Sequence, residues 1–82
     1  MKLELKEIME NWKKEIEFYK YERETIAVHS CGDVLFVITK RPGLFIGKYG
    51  TLVDKYRNIL RENGYPDQVI FVDLFCGGVR IF

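Results

Sequence analysis

Two glycines bracket a lysine and a tyrosine at Gly47-Lys48-Tyr49-Gly50. Such a turn can bring backbone close to a guest with no Cβ in the way. If a helix follows it, the first-turn N–H groups and the positive end of the helix dipole point at the same place. The chemistry on offer is anion binding, with phosphate the natural guest. Lys48 adds a mobile positive charge and Tyr49 a ring that can stack on a base or sugar. GxxG alone often marks no more than a close helix–helix turn, so its weight comes from its flanks: a strand, Lys40-Arg41-Pro42-Gly43, a one-turn apolar stretch, then the turn and an amphipathic segment.

Other chemistries find little to work with. The lysine sits inside the glycine pair and not after a longer glycine-rich run, which excludes a P-loop. Cys31 and Cys76 are far apart and lack CxxC spacing, and His29 is the one histidine, too little company for a metal site. The two thiols read as reduced and half-buried, and His29 as a hydrogen-bonded histidine near a strand end. No nucleophile–base pair can be assigned, and Asp33, Asp54, Asp67 and Asp73 read as turn and solvated-face residues. The expectation is a binding protein with no catalytic residue, metal or cofactor.

The formal net charge is +1, which alone argues against a strongly cationic nucleic-acid binder. Its distribution says more. Residues 40–61 hold Lys40, Arg41, Lys48, Lys55, Arg57 and Arg61 against Asp54 alone, whereas the segments on either side are balanced or slightly acidic. The first seventeen residues are charged throughout and contain no long apolar run, so neither a signal peptide nor a membrane-spanning helix is expected there. The expected location is the cytoplasm, with no membrane partner.

These residues need elements to position them. From Leu5, apolar residues at Ile8, Met9, Trp12, Ile16 and Tyr19 fall in steps of three and four, an amphipathic helix docking on a core, with Trp12 as an anchor inside it. Thr25 to His29 alternates, Asp33 to Lys40 is a β-branched and aromatic run, and Ser30-Cys31-Gly32-Asp33 between them has turn chemistry, which predicts an antiparallel hairpin. Pro42 opens a short helix over residues 43–46. A second helix starts near Thr51, with Leu52, Tyr56, Ile59 and Leu60 on one face, and ends at Asn63-Gly64. Val69 to Phe75 is a third strand, which Gly77-Gly78 either turns into Val79–Phe82 or leaves as the start of a tail. The last strand follows a helical crossover and so should lie parallel to a neighbour. At 82 residues this makes one domain, 1–82, of the α+β class: a three-stranded mixed sheet with helices on one face.

The run from Thr39 to Gly50, TKRPGLFIGKYG, followed by TLVDKYRNIL, resembles type II KH (K-homology) domains, as does the hairpin segment YERETIAVHSCGDVLFVI before it. Domains of this kind occur in a bacterial small-subunit ribosomal protein near the channel through which messenger RNA enters. Their pattern is RPG, two apolar residues, IGKxG and a charged amphipathic helix, within the element order α-β-β-α-α-β, so the likeness covers nearly the whole chain. It implies single-stranded RNA, or alternatively single-stranded DNA, lying in a groove whose GxxG loop clamps the backbone of four nucleotides. By the same resemblance Gly47, Lys48, Tyr49 and Gly50 form the clamp, and Leu44 and Ile46 the apolar groove edge. Lys40 and Arg41 flank its mouth, Lys55 reaches phosphate from the second helix, and Val69 and Phe71 are candidates for the strand side. The implied partner is RNA connected with the ribosome or translation. The alternative reading is a KH-like fold used for protein contact, because the strands are apolar on both faces, for example at Phe36, Phe71 and Phe75. A homo-oligomer through the sheet would bury such a patch.

Overall fold

The structure, a computed structural model, describes residues 2–16 and 27–82. The expectations for Tyr19 on the first helix and for Thr25 and Ile26 in the first strand lie outside the described residues.

Helix α1 spans Leu5–Glu15, and strands β1 (Ala27–Cys31) and β2 (Val34–Thr39) form a hairpin through Gly32-Asp33. Helix α2 covers Pro42–Ile46 and helix α3 Thr51–Glu62, followed by β3 (Gln68–Asp73) and β4 (Val79–Ile81). The sheet order is β1-β2-β3-β4: β2 pairs antiparallel with β1 and parallel with β3, and β3 pairs antiparallel with β4. The parallel pair follows from the helical crossover between β2 and β3, as a hairpin cannot join parallel neighbours.

Period-two alternation decides which side of the sheet is covered. Leu35, Val37 and Thr39 of β2 and Val69 and Phe71 of β3 are fully buried beneath the helices. Val34, Phe36, Ile38, Ile70 and Val72 face the other way and are only half-buried. Against the buried side pack Ile8, Met9, Trp12 and Ile16 from the α1 segment and Val53, Tyr56 and Leu60 from α3. The α3 core stripe thus runs through Val53, with Leu52 and Ile59 at its margin.

The two long helices are tied at both ends. The Asn63 side-chain oxygen accepts from Leu3 N–H at 2.8 Å, and the Tyr65 hydroxyl donates to the Leu3 carbonyl at 2.9 Å. At the opposite end Lys55 donates to both Glu15 carboxylate oxygens at 2.8 Å, and the Tyr56 hydroxyl donates to the same carboxylate. The helices therefore run antiparallel. At the centre Trp12, fully buried, stacks on Tyr56 with ring centroids 4.9 Å apart and meets Phe45 and Phe71 edge-on at 5.7 and 6.0 Å. Its indole N–H donates to the Phe45 carbonyl at 3.0 Å.

Two expectations are corrected. The sheet has four strands and not three, and β3 ends at Asp73, two residues before Phe75. The reason is local. The Asp73 carboxylate accepts from the N–H groups of Phe75 and Cys76, its carbonyl from Gly77 N–H at 2.7 Å, and its own N–H donates to Gly78 O at 2.8 Å, so the chain turns there. The Cys76 thiol and these backbone N–H groups hold the Asp73 carboxyl below its usual range. The return strand lets Phe82 and Val69 exchange backbone hydrogen bonds at 2.8 and 3.0 Å, and the Phe82 ring packs on Phe71. Second, the two cysteines are free as expected but exposed and not half-buried, because they lie on the edge strand β1 and in the β3–β4 turn.

Trp12→Phe keeps an aromatic ring in the stack but removes the indole donor, leaving the Phe45 carbonyl buried without it. Stability should fall by about 1–3 kcal/mol, read as a lower urea midpoint with an unchanged slope.

Candidate functional site

The loop between α2 and α3 is built from its ends inward. Pro42 starts α2 in its first turn, where a missing N–H leaves nothing unpaired. Phe45 and Ile46 then point into the core, Ile46 only 8% exposed, which fixes where the helix must stop. Gly47 N–H donates to Gly43 O at 3.1 Å, Gly50 N–H to Gly47 O at 3.2 Å, and the Thr51 hydroxyl to Lys48 O at 2.8 Å. Between these bonds Lys48–Gly50 form a single tight turn leading directly into α3.

The backbone explains the glycines. Gly47 has φ 78° and ψ 175°, a region essentially closed to residues with a Cβ. A Cβ there would also lie 2.6 Å from that of Leu52. Gly50 is left-handed at φ 73°, ψ 14°, with Val53 Cγ1 3.9 Å from where its Cβ would be. Tyr49 shares that left-handed region at φ 58° and ψ 23°, and no other described residue except glycine has a positive φ. Left-handed backbone costs an L-residue roughly 1–2 kcal/mol. The ring gains no burial in return, being 90% exposed, with Lys48 Nζ 5.5 Å from its centroid. No side chain caps the α3 N-terminus behind the loop.

The structure sorts the six cations of residues 40–61. Lys55 is turned toward α1 and held by Glu15, away from the role of reaching phosphate. Lys55 and then Tyr56 keep the Glu15 carboxyl below the usual range, while burial and then the hydrogen bond to Glu15 push the Tyr56 hydroxyl well up. Arg57 Nε donates to the Asp67 carbonyl and Arg61 Nε to the Asp67 carboxylate, both at 2.8 Å, and Arg61 in turn holds the Asp67 carboxyl below its ordinary range. Lys40 and Arg41 are exposed at the start of α2, and Lys48 is exposed in the loop. Lys40, Arg41 and Lys48 thus sit at the α2 end, whereas Lys55 and Arg61 bind acids from elsewhere in the fold and Arg57 binds the Asp67 carbonyl and pairs with Asp54 of its own helix.

Of the other expected contacts, Val69 and Phe71 are fully buried and offer no groove wall. Both sit on the inward parity of β3 beneath α1 and α3. Ile46 supports the loop from the core, and Leu44 is half-buried beside it. Two residues that position the site escaped the sequence reading. The buried Thr39 hydroxyl accepts from Arg41 N–H at 3.1 Å and its carbonyl from Leu74 N–H at 2.9 Å, while Glu15 reorients Lys55. Thr39 carried a usable signal, as a hydroxyl ending an apolar strand just before a turn. Glu15 carried none, because its partner is 40 residues away. In comparisons with known proteins, no family model, curated protein or solved structure matches the chain.

Gly47→Ala and Gly50→Ala should differ. The first meets both a forbidden backbone region and the Leu52 Cβ and should cost about 3 kcal/mol or more; the second meets only left-handed strain, about 1–2 kcal/mol. Urea denaturation of the two variants side by side checks this, and equal costs would contradict the geometry.

Proposed function

We propose that this chain is a single-stranded RNA-binding module of the type II KH kind, which grips the nucleic-acid backbone at Gly47-Lys48-Tyr49-Gly50 and makes or breaks no bond. The observation that carries the reading is the loop itself. Two glycines and a left-handed tyrosine hold a tight turn against an uncapped helix N-terminus, with Lys48 and a fully exposed ring displayed to solvent. Strain kept at an exposed position is an expected mark of function, and N–H groups at a helix start suit a phosphate. The connection β2–α2–loop–α3–β3, with β2 and β3 parallel and β1 antiparallel to β2, is consistent with the order the resemblance implies. Lys40 and Arg41 extend the positive surface, Ile46 seats the loop, and Lys55 is a weaker contributor because Glu15 competes for it. With few cations at the site, binding is modest and salt-sensitive. RNA of the ribosome or of translation is the partner class the resemblance favours.

Lys48→Asp combined with Tyr49→Asp replaces the cation and the ring by two anions on an exposed turn. In fluorescence-anisotropy titrations with a pool of short single-stranded RNAs, binding should vanish while the circular dichroism spectrum stays that of the wild type. Equal binding by wild type and double variant would sink the reading.

A second reading, self-association of two copies, has its own observation. The open sheet face presents Phe36, Ile38, Ile70, Val72, Val79 and Ile81, and among the described residues in register on it His29 is the one acidic or basic side chain. A face without like charges meets its own copy without repulsion. Sedimentation velocity should show a coefficient that rises with concentration and returns to the monomer value in Ile81→Lys. A monomer at every concentration would remove this reading.

A further inference from the structure

Phe75 is 87% exposed, and its backbone N–H is held by the Asp73 carboxylate at 2.8 Å. It occupies the β3–β4 turn that Asp73 closes through its carboxylate, its carbonyl and its N–H. Water-exposed phenyl rings gain nothing for the fold, and one carried on a hydrogen-bonded turn loses less backbone entropy when a contact forms.

The topology fixes where this ring stands. Thr39 and Asp73 are register partners at the ends of the parallel strands, and Thr39 O accepts from Leu74 N–H at 2.9 Å. The Thr39 hydroxyl accepts from Arg41 N–H at 3.1 Å. One buried residue therefore ties the Phe75 turn to Lys40-Arg41, where α2 begins. Helix α2 is five residues long, about 7–8 Å, and leads straight to Gly47. Helix α3 then departs from this end and returns to the start of β3, where Arg57 and Arg61 hold Asp67. The GKYG loop, Lys40-Arg41 and the Phe75 turn thus share one end of the molecule, with exposed aromatic rings on two tight turns and cations near both.

We infer that Phe75 is a second base-stacking contact, which extends the single-stranded footprint from the GKYG loop past Lys40 and Arg41 to the β3–β4 turn. The inference rests on the RNA-binding reading and deepens it: the ligand is a strand longer than the four nucleotides one loop can clamp, held by phosphate contacts between two stacked bases. A single strand is the occupant that fits, because alternating rings and cations match its alternating bases and phosphates. Leu74 beside the ring and Val79 and Ile81 on β4 are exposed as well, so a protein contact at this turn is the competing outcome that the sedimentation arm of the test reads.

The test compares fluorescein-labelled mixed-sequence RNAs of four and eight nucleotides. Wild type should bind the longer strand more tightly, Phe75→Ala should weaken the longer strand about 5- to 150-fold while leaving the shorter one unchanged, and the Lys48/Tyr49 double variant should lose both. Phe75→Trp should keep the wild-type affinity, and its exposed indole should be quenched by the longer strand. Equal affinity of Phe75→Ala and wild type for the longer RNA overturns the inference and leaves the loop reading intact. A change in sedimentation with no change in RNA affinity overturns it in favour of a protein contact. If wild type binds neither RNA, both readings fall.

Discussion

The indole N–H of Trp12 donates to the carbonyl of Phe45, and the placement of the loop depends on that contact. Helix α2 is a single turn, too short to be stable by its own hydrogen bonds. Its last carbonyls have no partners within the helix. Trp12 supplies a partner to one of them from another helix, while its ring stacks on Tyr56 of α3 and meets Phe45 and Phe71 edge-on. One side chain of α1 thereby fixes both helices that bracket the GKYG loop, and fixes them against the sheet. The strained backbone at Gly47, Tyr49 and Gly50 persists because its two ends are anchored in this way.

Charge is arranged by a different rule. The sequence gathers six basic residues into one tract, but α3 has a face toward α1 and another toward the β3 loop, and Glu15 and Asp67 meet its cations there. Surface pairs of this kind add little stability, roughly 0–1 kcal/mol each. Their larger effect is on the field: they offset the charges of Lys55 and Arg61 on α3.

What the sequence made legible follows from the range of the interactions involved. Local periodicity and punctuation placed α1, the hairpin, Pro42 at the start of α2, the turn at Gly47 and the end of α3 near Asn63, and the helical crossover implied the parallel β2–β3 pair. The fourth strand stayed open because its formation depends on Asp73 closing a turn with main-chain groups up to five residues ahead, and on Phe82 reaching Phe71. At the candidate site the loop residues could be read, since glycine spacing is a local signal. The engagement of Lys55 by Glu15 and the burial of Val69 and Phe71 could not, because the first needs a partner 40 residues distant and the second needs the parity of a strand whose ends were unknown.

Tyr49 and Phe75 then pose one problem twice. Each is a large ring left in water, each on a turn tied by several hydrogen bonds, and neither contributes to the core. An isolated exposed aromatic needs no explanation. Tyr49 differs because its backbone is also strained, so replacing it with glycine would relieve the left-handed cost without removing a buried contact. Folding alone would favour the smaller residue there. Phe75 carries no such strain, yet Asp73 spends its carboxylate on closing the turn that displays it. In both places the structure orders the backbone and leaves the ring unburied, as a surface pre-formed for a flat partner would require.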